Sequence, residues 1–464
     1  MIFGNRLVLT LELETGAPLH VGAGICRTDP KLQKTDMDEA PEVLLVQRDR
    51  AGQPIIPATS LKGALRAATD LSAAALDRLL GEQGEAAEGR GRIARLWLGT
   101  AVGTTPGDAN AGHRGSTTET GLRAHGFVKT GVQIERTTGA AEARKLFHRE
   151  VVGRKTTFEG EATLFLDELD AATEADLLAD LSALLAPLYQ APGLPLGGQK
   201  RQATGRLRLQ TLSVVRKSID PATLDLVDSA EPALARDLIR CAQAVQPTRA
   251  APIRLGLSCP GPFISIRDKP KESNNRQVTM PLESDDKPLL WPSSLLGVLR
   301  ARAAWFAART VLRQDHRFAP DREPKDVDDR GKVVRKVSEV AALSSVERLF
   351  GVAGWRGLLR VASLEPAADA TPRRKRLTSV TIDRFTGGAM DERLFTEETF
   401  LGAAFTADLR LDERGAYPTT ADRDFLDLLL DDVGKRGLEL GHGGAKGFGW
   451  FSVRVTRPAA GVIA

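Results

Sequence analysis

Apolar and polar residues alternate from Leu7 to Leu13 (LVLTLEL), the period of a strand with one buried face. The same alternation returns at Ile253–Leu257, and short apolar runs at Val43–Val46 and Val278–Leu282 predict second strands. Ala162–Leu166 and Ala404–Leu411 read as further strands, and Arg206–Val214 and Trp450–Val455 as closing ones. Helical spacing marks Glu174–Leu188, Ala421–Leu430 and a connecting helix over Glu231–Gln246. A shorter helix is predicted at each of Ser60 and Ser294, where a serine suits an N-cap behind a proline-bounded turn. The polar stretches Ala101–Ser116 and Arg322–Lys336 read as loops. The order of elements predicts an α+β chain, each half a split βαβ, ferredoxin-like sheet of the kind RRM domains use.

The halves are copies of one another. The run Pro54-Ile-Ile-Pro57-Ala-Thr-Ser60-Leu-Lys62-Gly63-Ala-Leu-Arg66 is echoed by Pro288-Leu-Leu-Trp-Pro292-Ser-Ser294-Leu-Leu296-Gly297-Val-Leu-Arg300. Ala17–His20 is echoed by Gly261–Ile264, and Arg95–Gly99 by Arg348–Gly351. Val132–Ala140, with Arg136, answers Val380–Gly387, with Arg384, and each is followed by Leu-Phe and a glutamate (Leu146, Phe147, Glu150; Leu394, Phe395, Glu398). A late glycine-rich loop also recurs: Gly197, Gly198, Lys200, Arg201, Gly205 and then Gly441, His442, Gly443, Gly444, Lys446, Gly449. Shared segments in shared order predict a first module over 1–215, a linker over 216–250 and a second module over 251–464.

Composition adds little to this. Hydrophobic residues make up 42 % and charged residues 27 % of 464, an ordinary globular mixture. Lys+Arg number 64 against 60 Asp+Glu, so any affinity for nucleic acid depends on where the cations cluster rather than on the net +4. Cys26, Cys241 and Cys259 have no CxxC spacing, which excludes a disulfide framework and a cysteine zinc site and predicts a reducing, cytoplasmic setting. No apolar run reaches the length of about 18 residues that a membrane span needs, and the start of the chain reads as a strand rather than a signal peptide. His20, His113, His125, His148, His316 and His442 lack metal-ligand spacing.

The proline-bounded Ser-Leu-Lys-Gly helix start, the Ile-Asp/Glu-Arg-x-Thr-Gly segment with its trailing Leu-Phe and Glu, and the glycine-rich loop together resemble the RAMP superfamily. The match is nearest to backbone subunits of type III CRISPR effector complexes, and two copies in one chain resemble the tandem subunit of subtype III-D. The resemblance implies two ferredoxin-like RAMP modules with insertions, each with a β-hairpin thumb (Ile134–Phe158 and Ile382–Phe400). It also implies crRNA and single-stranded target RNA as ligands, other effector subunits as neighbours, and an aspartate before the second strand that promotes target cleavage with Mg²⁺ or Mn²⁺.

On that resemblance the RNA-contacting residues are Ser60, Lys62, Gly63, Arg66, Arg136, Gly197, Gly198, Lys200 and Arg201 in the first copy. In the second they are Ser294, Gly297, Arg300, Arg384, Gly441, His442, Gly443, Gly444 and Lys446. A helix N-terminus and positive-φ glycines suit phosphate, although both also serve plain turns and caps. The basic runs Arg373–Arg376 and Arg144, Lys145, Arg149, Arg154 and Lys155 fall on or beside the thumbs. Among the acids Asp29, Asp36, Asp38 and Glu39, Asp38 best fits the catalytic and metal-binding aspartate, with Asp36 second. The second copy has Asn274 and Asn275 there, with Asp268 far upstream, so cleavage is expected of the first module alone. Two rivals stay open: a scaffold with no nuclease activity, and a guide-processing endonuclease relying on His20 or His442.

Overall fold

The computed structural model describes residues 5–28, 41–81, 93–104, 126–134, 141–167, 169–199, 202–220, 223, 225–246, 251–266, 271–273, 276–284, 287–309, 340–352 and 354–458. The chain divides into two compact units, Met1–Lys200 with Thr204–Arg249, and Arg201–Ala203 with Ala250–Ala464.

The first unit contains β1 (Arg6–Ala17), β2 (Gly22–Thr28), β3 (Glu42–Val46), α1 (Ala58–Ala68), α2 (Ala73–Leu80), β4 (Leu96–Leu98) and β5 (Ala101–Gly103). It continues through β6 (Gly126–Ile134), β7 (Ala141–Val152), β8 (Thr157–Phe165), α3 (Ala171–Tyr189), β9 (Arg206–Ile219) and α4 (Pro232–Ala244). As the alternation requires, Leu7, Leu9, Leu11 and Leu13 are buried while their neighbours are not. Each fully buried leucine stabilises the fold by roughly 1.5–3 kcal/mol. β1 pairs antiparallel with β9 on one side and β8 on the other, and β8 in turn pairs with β4 and β5. The helices add Leu61, Leu79, Leu177, Leu181, Leu184 and Leu238 to the same core.

The second unit contains β10 (Ile253–Phe263), β11 (Arg276–Thr279), α5 (Pro292–Arg309), α6 (Ser345–Phe350), β12 (Leu359–Pro366), β13 (Arg373–Ile382), β14 (Ala389–Leu411), α7 (Thr420–Arg436) and β15 (Trp450–Thr456). Its main sheet runs β15–β10–β14–β12, all antiparallel. The first unit has the same order, β9–β1–β8–β4, with the last strand beside the first. Phe263, Phe405 and Phe451 stack edge-on in the second core. None of the described helices is long and apolar enough to cross a membrane.

The structure corrects several expectations. Pro57, not Ser60, occupies the N-cap of α1, and its carbonyl takes the amides of Ser60 and Leu61; the carbonyl of Trp291 takes those of Ser294 and Leu295 in the same way. The strands expected second do not take the second place in the sheets. β3 leaves the main sheet and pairs in parallel with β7 (Val43↔His148), whereas β11 stays in it, joined in parallel to the hairpin part of β14 (Val278↔Thr396). Their places are filled by β4 and β5, the latter from a stretch read as loop, and by β12. β4 and β5, of three residues each, carry too few residues for a period to show, and β12 does not alternate cleanly between buried and exposed positions, so pairing with β8 and β14 decides them.

The hairpins also begin earlier than expected. β6 pairs with β7 and β13 with β14, so Arg373–Arg376 lie on an arm of the second hairpin. The parallel drawn between Arg95–Gly99 and Arg348–Gly351 fails, because Arg348–Gly351 ends α6 on a positive-φ glycine. Its counterpart is Arg78–Gly81, which ends α2 on another (Gly81 φ 79°, Gly351 φ 93°). Finally, α4 belongs to the first core through Ala235, Leu238 and Ala242.

Candidate nucleic-acid interface

The glycine-rich loops have one hydrogen-bond scheme in both copies. Leu196 donates to the Gly205 carbonyl at 2.8 Å, Gly205 to Pro18 at 2.8 Å and Gly198 to His20 at 2.9 Å. In the second copy Leu440 donates to Gly449 at 2.8 Å, Gly449 to Pro262 at 2.8 Å and His442 to Ile264 at 2.8 Å. A side chain at Gly205 (φ +61°) or Gly449 (φ +70°) would overlap the carbonyl of Leu196 or Leu440. These glycines are therefore demanded by the turn itself. In the second copy the turn continues as a short 3-10 segment, Gly444–Lys446, entered from Gly443 in the left-handed region. Gly205→Ala should destabilise the first unit by roughly 1–3 kcal/mol from strain at that position, read as a lower chemical-denaturation midpoint.

The helix starts differ from the loops. Gly63 and Gly297 lie inside α1 and α5, exposed, with nothing within 4 Å of an added Cβ. A glycine inside a helix costs about 1 kcal/mol relative to alanine, and no contact among the described residues requires one here. Lys62 is half-buried on the same turn. Arg66 turns away from it: its guanidinium donates to the Gly81 carbonyl at 2.7 Å, closing the end of α2, and lies 3.7 Å from Asp77. Ser294 and Arg300 occupy the matching positions on α5, both half-buried.

Each hairpin presents apolar side chains at one repeated register. Val132 is opposite Leu146, with Phe147 next along; Val380 is opposite Leu394, with Phe395 next along. All six are 40–45 % exposed. At the tip of the second hairpin Asp383 accepts the amides of Phe385 and Thr386, and the Phe385 ring is wholly exposed beside the exposed Arg384. Matched exposure of large apolar groups in both copies marks a surface that something else covers. The repeated Leu-Phe pair was visible in the sequence, but its exposure was not.

At the base of the hairpins the copies diverge. Glu150 is buried, accepting the Val46 amide at 2.9 Å and Arg48 at 2.6 Å, and so ties β3 to the first hairpin. Its counterpart Glu398 takes Arg374 at 2.9 Å. Glu397, also buried, accepts Lys446 Nζ at 2.9 Å, with His442 Nε2 at 4.0 Å, so the second glycine loop is held by a carboxylate the sequence reading had not singled out. His20 donates from Nδ1 to the Glu150 carbonyl at 2.7 Å, and burial holds its pKa below the ordinary histidine value.

Arg136, Lys200, Arg201, Asp36, Asp38, Asp268, Asn274 and Asn275 lie outside the described residues. Their flanks do not. Thr28 pairs with Glu42, so residues 29–41 intervene between paired strands, whereas only Asn274 and Asn275 separate the paired Ser273 and Arg276. Among the described residues no group of His, Cys, Asp and Glu side chains converges to hold a metal.

The family model of the RAMP superfamily matches residues 12–208 and again 253–452. The chain belongs to the RAMP superfamily. No curated protein matches it. The two matched stretches cover the two structural copies, and membership carries a CRISPR-associated RNA-binding role. RAMP proteins bind crRNA and other Cas subunits.

Proposed function

We propose that this RAMP protein is a tandem backbone subunit of a type III CRISPR effector, of the III-D kind. Its two modules hold consecutive stretches of crRNA, and its first module cleaves the paired target RNA. The observation that carries this reading is the repetition, at one register in both copies, of an exposed apolar hairpin together with an open glycine at a helix start. A glycine with space beyond it lets a nucleic-acid backbone come close to the helix N-terminus, where unpaired amides and the dipole favour phosphate. Apolar side chains on a projecting ribbon can enter between stacked bases. The shared strand order, with the last strand beside the first and the third beside the second, supports the ferredoxin-like reading of each module.

Cleavage rests on the acids between Thr28 and Glu42. Asp38, with Asp36 next, would hold Mg²⁺ or Mn²⁺, which when bound supplies charge neutralisation at the scissile phosphate. Ser273 and Arg276 pair with only Asn274 and Asn275 between them, so the second copy lacks an equivalent acidic segment. Cys26, Cys241 and Cys259 are all free, which goes with a cytoplasmic complex. The nuclease-free scaffold remains the second reading, since the same interface serves it unchanged.

Binding of fluorescein-labelled single-stranded RNA by the full chain tests the interface. Gly63→Ala should leave the melting temperature equal or higher, because alanine favours the helix, yet weaken RNA binding several-fold by filling the approach. Equal affinity of Gly63→Ala and wild type would remove α1 from the RNA path.

A further inference from the structure

The two glycine loops close in the same way but are braced differently. In the first copy the buried Thr204 hydroxyl lies 2.8 Å from the carbonyls of both Gly198 and Gln199 and ties the loop to itself. Gly205 answers to Gly449, so Thr204 answers to Phe448, which has no hydroxyl. The Phe448 ring lies instead against Gly443, where an added Cβ would come within 2.7 Å of it. Gly443 and Gly447, on either side of the 3-10 segment, both stand in the left-handed region (φ 86° and 79°). A loop built on such glycines is soft unless something holds it.

The brace of the second loop comes from the hairpin. Lys446 Nζ donates to Oε2 of Glu397 on β14 at 2.9 Å, and Oε1 lies 4.0 Å from His442 Nε2. The two ends of the pair differ in exposure. Glu397 is 5 % exposed, whereas 42 % of the Lys446 side chain is in solvent. A phosphate that drew Lys446 away would leave a buried carboxylate without its counter-ion, a larger penalty than leaving a lysine in water. The first copy cannot build this brace at the same place, because register puts Arg149 there: Leu44 lies beside Arg149 as Thr279 lies beside Glu397.

We infer that Glu397 and Lys446 form a latch that sets the spacing between the second hairpin and the second glycine loop. Lys446 is then a strut and not a phosphate ligand, and both members of the pair are positioning residues. RNA entering the second module meets a clamp of fixed width, and a preformed clamp lowers the ordering cost of binding. This inference rests on the RNA-binding reading and deepens it: the second glycine loop contributes shape to the grip, without an ionic contact from Lys446.

The test is a salt series of fluorescein-labelled single-stranded RNA binding by the full chain, with melting temperatures taken on the same samples. Wild type is compared with Lys446→Gln, Glu397→Gln and the double variant. Lys446→Gln should melt lowest, because it strands the carboxylate, and should bind RNA several-fold more weakly at an unchanged slope of log affinity against log salt. Glu397→Gln should also weaken binding, although it sets a cation free. The double variant, whose two amides can bond each other, should recover most of the melting temperature and bind within about twofold of wild type. A lysine that touched phosphate would act in the opposite sense. Lys446→Gln and the double variant would then both flatten the slope by about 0.7, and Glu397→Gln would tighten binding. Either result overturns the latch, as does a double variant that melts no higher than Lys446→Gln. A wild type that binds no RNA at any salt overturns the RNA-binding reading and the clamp together, whereas wild-type binding with one of the contrary results above overturns the latch alone.

Discussion

Asp38→Ala should abolish the cut in guide-paired target RNA, lowering its rate by a factor on the order of 10² or more, while crRNA binding is unchanged. That is the size of loss found when a group aimed at charge developing in a transition state is removed. Of the aspartates between Thr28 and Glu42, Asp38 lies nearest in the chain to the paired start of β3. β3 is in turn held to the first hairpin by its parallel pairing with β7 and by the Val46–Glu150 hydrogen bond. Asp36→Ala should have a smaller effect. Removing divalent metal with a chelator should stop cleavage and leave guide binding intact.

The measurement is cleavage of end-labelled complementary RNA by the assembled complex with Mg²⁺ or Mn²⁺. An unchanged pattern in both aspartate variants would make the chain a scaffold. A further cut that survives Asp38→Ala would show that the second module cleaves as well. Cleavage of guide precursor that depends on His20 or His442 would favour the processing rival.

The largest stability effect is expected in the second unit. Asp422 is fully buried in the first turn of α7, and Arg348 of α6 donates to both its oxygens at 2.8–3.0 Å. The Thr419 amide donates to it at 3.0 Å, completing a capping box, and Arg348 also reaches the Leu343 carbonyl. Asp422→Ala leaves a buried guanidinium without its counter-ion and should cost about 3–5 kcal/mol. By contrast, Arg78 and Asp180 of the first unit meet at 2.5 Å with Arg78 largely in solvent, and Asp180→Ala should cost at most about 1 kcal/mol. Urea midpoints of the two variants should therefore fall far apart, and similar midpoints would refute the burial argument.

Burial alone would raise the Asp422 carboxyl, but hydrogen bonds from Arg348, Ser345 and Thr419 outweigh it and hold the carboxyl below its ordinary value. A carboxyl depressed on folding contributes stability that is fully present above its unfolded value of about 3.9 and is lost as pH falls through the lower folded one. In wild type that loss should be seen below pH 4, and in Asp422→Ala it should be missing.

Much of this was legible in the chain itself. Strand alternation at Leu7–Leu13 and Ile253–Leu257, the long helices, the duplication and the glycine loops are all matters of residue order, and local spacing carries them. The glycine loop was recognisable because Gly205 and Gly449 answer a backbone constraint that a single residue type satisfies. Other features were not legible, because alternation says which face of a strand is buried but not which strand lies beside it. Val43–Val46 read as a strand, yet only the fold showed that it joins the hairpin. Leu359–Pro366 shows no clean alternation, and Arg348 answers to Arg78 only through the glycine caps that end α6 and α2. The exposed Leu-Phe pairs, the turning of Arg66 to Gly81, and the Glu397–Lys446 ion pair depend on residues far apart in sequence meeting at one point. Charge and apolar area take their meaning from what surrounds them, and those surroundings exist only once the strands have paired.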